Sequence, residues 1–161
     1  MSSNSPHPIL KRVVSGGQTG VDRAALDAAL FAGLPCGGWC PLGRKAEDGA
    51  LCDVYPLDET PTDDYAERTL WNVRDSDGTL IITHGDVNGG TALTMDYCAQ
   101  LKRPVLHIDF RWHPEVQPVL DWLARERIYT LNVAGPRESK SPGIYREARA
   151  YLDKLFTPGL L

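Results

Sequence analysis

The chain has 161 residues, 42% hydrophobic and 24% charged, with 17 Lys and Arg against 21 Asp and Glu for a net charge of −4. That length suits about one domain, able to bury roughly two-thirds of its unfolded surface. The acidic balance speaks against a reader of nucleic-acid backbones, no run of about 18 apolar residues marks a membrane span, and four cysteines without a secretion signal fit reduced thiols in a cytoplasmic protein.

Residues 1–8 are polar and Pro-containing and read as a frayed start, with one domain over 9–161. The apolar run 9–14 predicts a first strand. Val21, Ala25, Ala28 and Ala32 then share one helical face, stopped by Gly33 and Pro35. Residues 35–40 suggest a second, glycine-weakened strand, and 41–62 a long irregular excursion of the kind that often carries function. A helix is expected over 63–73, capped by Thr62 or Asp63, followed by a buried strand over 79–83. After the loop at 84–91 a helix runs through Leu101, and 104–110 supplies another strand. Val116, Val119, Leu120 and Leu123 mark an amphipathic helix. A last strand over 128–134 breaks into a polar loop at 135–143. Ile144, Ala148, Tyr151, Leu152 and Leu155 then line one side of a final helix. Such alternation predicts an α/β fold: a doubly wound, mainly parallel sheet of about five or more strands flanked by helices.

In such sheets ligands lie beyond the carboxyl ends of the strands, and three junctions there are rich in glycine or polar donors. Gly16, Gly17, Gln18, Thr19 and Gly20 join the first strand to its helix, where backbone amides and the helix dipole favour an anion. The segment lacks the Gly-Lys-Ser/Thr ending of a P-loop and does not match G-x-G-x-x-G. Asn88, Gly89, Gly90 and Thr91 form a second amide-rich cradle, with Thr91 suited to capping its helix or donating to an oxyanion. Arg137, Glu138, Ser139 and Lys140 follow the last strand; two cations beside hydroxyls suit phosphate-like or molybdate-like groups. Trp39 and Arg44 are candidates for stacking on a flat heterocycle. Cys40 reads as a small buried hydrophobe more readily than as a soft-metal ligand, and no zinc spacing is present. No nucleophile elbow and no metalloprotease helix occurs, so neither a catalytic constellation nor a metal site is expected.

Five segments carry a resemblance to a known family: 15–23, 38–49, 65–79, 88–91 and 132–145. Together they make the chain similar, over about residues 12–156, to the molybdenum carrier or molybdenum cofactor carrier proteins. These are Rossmann-like relatives of the cytokinin-activating phosphoribohydrolases (long described as lysine decarboxylases) and of DprA. The resemblance implies a Rossmann-like sheet that assembles into a dimer or tetramer, binds the molybdenum cofactor (molybdopterin), and protects and passes it to molybdoenzyme acceptors. It also implies that Gly16, Gly17, Gln18, Thr19, Arg44, Asn88, Gly89, Gly90, Thr91, Arg137, Glu138, Ser139 and Lys140 face this anionic pterin. The hydrolase relatives carry Pro-Gly-Gly-x-Gly-Thr-x-x-Glu, and their catalytic glutamate aligns with Thr94, which cannot serve as a carboxylate. That favours a binding protein, unless Asp96 or Glu138 supplies the carboxylate. A nucleotide-derivative binder or hydrolase, and a binder of free molybdate or tungstate, remain the alternatives.

Overall fold

Alternating apolar runs and amphipathic helices condense into a parallel sheet in the computed structural model, which describes residues 5–159. β1 (Arg12–Val14) leads into α1 (Val21–Ala32), and Gly33 closes that helix in the left-handed conformation. β2 (Cys36–Gly37) and β3 (Trp39–Cys40) follow. The excursion holds β4 (Lys45–Ala46), β5 (Gly49–Ala50) and β6 (Asp58–Glu59). Then come α2 (Tyr65–Arg74), β7 (Gly78–Thr83), α3 (Gly89–Gln100) and β8 (Val105–Asp109). α4 (Gln117–Arg125), β9 (Thr130–Ala134) and α5 (Ile144–Phe156) complete the order. The main sheet runs β2-β1-β9-β7-β8, every pairing parallel, so all five carboxyl ends open on one edge.

The sheet divides its residues between two faces, as the period-two geometry of a strand requires. Leu80 and Ile82 of β7 join Val13, Leu131 and Val133 in a core with α1, α4 and α5. Thr79 faces the other way, where its hydroxyl accepts from Asn132 Nδ2 at 3.2 Å. All six residues of β7 are buried, as expected for a strand covered on both sides. Among the described residues no helix is long and apolar enough to cross a membrane.

Several boundaries differ from the sequence expectation. The first strand is only three residues long, because residues 7–10 wrap around a histidine instead of extending. His7 Nδ1 accepts from the amides of Ile9 (3.0 Å) and Leu10 (2.9 Å), while Nε2 contacts the Leu155 carbonyl at 3.0 Å. His7 is therefore buried and anchored; residues 1–4, half of the stretch read as a frayed start, lie outside the described residues. The run 35–40 is two strands in different sheets, parted by Gly38 at φ 121°. A Cβ there would stand 2.5 Å from the Ser15 carbonyl. The helix expected from 63 starts at Tyr65, with Asp64 accepting from the Ala66 amide, while Thr62 bonds to Glu67 instead of capping.

Candidate functional site

Three carboxyl-end junctions meet in one cleft of about 240 Å³, toward the small end of small-molecule sites. Gly16 and Gln18 come from the junction after β1, Asn88, Gly89, Gly90 and Thr91 from that after β7, and Arg137 and Lys140 from the segment after β9. The lining includes Asn132 in the middle of β9 and Thr94 on α3, both buried. A fourth wall, unforeseen in the sequence, is α2, through Tyr65, Arg68, Thr69 and Asn72. Those residues sit at i, i+3, i+4 and i+7, the stripe a core helix should make apolar. A polar stripe in that register is the signal that could have revealed them.

The cleft lining carries several hydrogen-bond donors and three cationic side chains, Arg68, Arg137 and Lys140. Gln18 is 5% exposed; its Oε1 accepts from the Glu47 amide (2.8 Å) and the Thr19 amide (3.0 Å). Two N–H donors on one atom assign the amide orientation, and that leaves Nε2 buried without a hydrogen-bond partner among the described residues. Asn88 precedes α3 as its N-cap with no side-chain capping bond, and the first turn of α3 contains no acidic residue. Thr91 lies inside that turn, so it does not cap the helix as the sequence allowed. The helix start thus presents amides and a positive dipole end toward the cleft. Among the described residues the Arg137 and Lys140 side chains have no carboxylate partner. Arg137 instead stacks over Tyr65, 5.3 Å from the ring centroid. Arg68 (5.2 Å) and Lys45 (4.5 Å) approach the same ring.

One carboxylate lines the cleft among the described residues, that of Asp22. It accepts from the Gln18 amide (3.3 Å) and pairs with Arg68 Nη1 (3.4 Å), while the same nitrogen donates to the Gly16 carbonyl at 2.6 Å. Burial pushes its pKa above the ordinary range, and Arg68, Arg23 and Arg137 pull against that shift. The Thr94 hydroxyl donates to the Gly90 carbonyl at 3.0 Å. Gly20, at φ 78°, lets the first junction lie against the last: a Cβ would stand 2.4 Å from the Pro136 carbonyl.

Other expected site residues lie elsewhere. The Arg44 guanidinium donates to the carbonyls of Leu51 (3.1 Å), Leu57 (3.1 Å), Cys52 (2.8 Å) and Tyr55 (2.7 Å), so it closes the excursion on itself. Trp39 packs edge-on against Trp71 and donates to Asp75 at 2.8 Å, outside the cleft. Gly17 turns toward Leu51 and Leu57. Glu138 accepts from the amides of Gly143 and Tyr145, which starts α5. Thr19 and Ser139 both donate to Glu47. Cys40 is buried among Leu26, Leu51 and Leu57, with its thiol pKa raised by burial. Among the described residues no group of three His, Cys, Asp or Glu is placed to hold a metal ion.

A five-stranded parallel sheet flanked by helices, with a cleft at its carboxyl edge, defines a Rossmann-like class of fold. Within that class the chain belongs to the circularly permutated YpsA SLOG family, whose model matches residues 13–156. It is similar to a protein of known crystal structure from Syntrophus aciditrophicus SB, named Putative molybdenum carrier protein. The two share 46% identity over 93% of this chain and 96% of that one, with a TM-score of 0.87. The resemblance read from the five sequence segments is thus borne out. No curated protein matches the chain.

Proposed function

We propose that the chain binds the molybdenum cofactor in this cleft and acts as its carrier or store. The observation that carries the reading is the lining of the cleft: Gln18, whose buried Nε2 has no hydrogen-bond partner among the described residues, stands beside helix-start amides and two cations, Arg137 and Lys140, that form no ion pair within 4 Å among those residues. An anionic ligand supplies the missing acceptors. The name of the Syntrophus protein points to a molybdenum-bearing one. The pterin's phosphate suits the α3 amides and Thr91, and Arg137 and Lys140 suit the remaining oxygens. The cleft offers hydrogen-bond donors and cations, so it holds this cargo through its oxygens and ring edges.

A second reading rests on Asp22. A buried carboxyl with a raised pKa beside arginines is the arrangement a hydrolase of a nucleoside monophosphate derivative would use as an acid. Thr94 stands at the glutamate position of such enzymes, and Asp96 and Glu138 lie outside the cleft lining. Binding is therefore preferred over hydrolysis. Assembly into a homo-oligomer belongs to the same proposal and is checked by light scattering.

The test is anaerobic equilibrium binding of isolated molybdenum cofactor, with AMP and molybdate as parallel ligands. Micromolar or tighter cofactor binding, weakened by Arg137→Ala and Thr91→Val, with AMP left intact, supports the carrier. Cleavage of AMP in place of cofactor binding moves the chain to the hydrolase reading, and binding of molybdate alone reduces the ligand to the oxyanion.

A further inference from the structure

Thr19 and Ser139 are loop residues whose chemistry suits an anion, and each already holds one. Glu47, at the tip of the β4–β5 hairpin, accepts through Oε1 from the Thr19 hydroxyl and the Ser139 amide (3.2 Å), and through Oε2 from the Ser139 hydroxyl (2.6 Å). These donors and the nearby Arg137 hold its carboxyl below the ordinary glutamate range. A side chain from 92 residues upstream therefore sits in a nest of donors from two separate junctions.

The hairpin is held differently at its base and at its tip. The hairpin base is secured by four Arg44-to-carbonyl bonds and by Leu51, buried against Leu26, Cys40 and Leu57. Glu47, Asp48, Gly49 and Ala50 at the tip are exposed. Besides the carboxylate, the tip is tied by the Glu47 amide to Gln18 Oε1 and by the Asp48–Arg23 pair at 3.0 Å. That pair is bidentate, with Arg23 Nη2 donating to Asp48 Oδ1 at 3.1 Å, and only its Asp48 end is exposed. Gly43 and Gly49, at φ 83° and 113°, have open space where a Cβ would be.

We infer that Glu47 is an internal stand-in for an anion: Thr19 and Ser139 form an oxyanion subsite that a phosphate-like group enters by displacing the Glu47 carboxylate. This rests on the anion-binding reading of the junction loops and adds a second position outside the cleft. A ligand with two anionic ends would then engage the α3 amides with one end and release the hairpin tip with the other. Displacement would also remove the Glu47 amide from Gln18 Oε1, coupling the subsite to the cleft donor Gln18 Nε2.

The experiment is a titration of the full chain with inorganic phosphate, followed by amide chemical shifts, in wild type, Glu47→Ala and Glu47→Gln. In Glu47→Ala the Thr19 and Ser139 amides should shift saturably, with an apparent affinity about tenfold tighter than in wild type, because the closed state no longer competes. Glu47→Gln, which keeps the shape of the latch without its charge, should fall between. The Gly90 and Thr91 amides report the cleft independently, so their failure to respond counts against the function proposed above and not against this subsite. Unmoved Thr19 and Ser139 amides in Glu47→Ala, or equal shifts in all three proteins, would overturn the inference. Weaker binding in Glu47→Ala would overturn it too, since Glu47 would then support the loops and not compete for them.

Discussion

The excursion around Arg44 and the segment around Arg137 look alike in sequence: each places cations beside small and polar residues after a strand. The structure gives them opposite characters. Arg44 has four backbone carbonyls around one guanidinium, so that side chain is taken up by closing its own loop. Arg137 and Lys140 have aromatic or solvent neighbours and no acceptor among the described residues, next to a buried Gln18 nitrogen that also lacks one. Whether a cation supports the fold or waits for a ligand is decided by which acceptors the tertiary structure brings to it.

Substitutions should separate the two regions. The largest effect is expected from Arg44→Ala, which leaves four carbonyls without their shared donor. We expect a loss of about 2–3 kcal/mol in urea unfolding, with ligand affinity at the cleft changed little. A large loss of cleft affinity with unchanged stability would reverse the assignment. Gln18→Glu keeps the acceptor used by the Thr19 and Glu47 amides but replaces the unpartnered donor with a negative oxygen. Affinity for an anionic ligand should fall roughly 10–100-fold in equilibrium titration. Arg137→Ala should weaken the same binding by about tenfold and leave stability within roughly 0.5 kcal/mol of wild type.

The smallest effect concerns His7, a group whose hydrogen bonds are complete, unlike those of the cleft. Its Nδ1 accepts from two amides, so the folded state requires the neutral ring, and burial lowers its pKa below the ordinary value. The unfolded chain therefore binds the proton more readily. The stabilisation is full above about pH 6.5 and declines as pH falls from there toward the folded-state pKa. Unfolding at pH 7.5 and 5.5 should show a loss of roughly 1 kcal/mol in wild type that His7→Gln lacks; an equal pH dependence in both proteins would remove His7 as the cause.

Much of the architecture was legible along the chain because helix and strand periods are local properties. Gly33 stops α1 and the β-branched run makes β7, while the amphipathic stripes of α4 and α5 face the core as their spacing required. The strand boundaries at 9–11 and 35–40 were not legible. They depend on His7 reaching Leu155 and on Gly38 lying against Ser15, contacts between residues distant in sequence.

The candidate site divides along the same line. Amide-rich junctions at Gly16, Gly90 and Arg137 could be read directly, since glycine and helix-start chemistry belong to a few consecutive residues. The insertion of β9 between β1 and β7 was beyond local pattern, and it is this placement that brings the three junctions to one cleft. Tertiary structure alone also decided that α2 turns Arg68 and Tyr65 inward, that Arg44 is consumed by its own loop, and that Glu47 sits on Thr19 and Ser139. Sequence names the donors and acceptors that exist; only the folded chain determines which of them meet and which are left for a ligand.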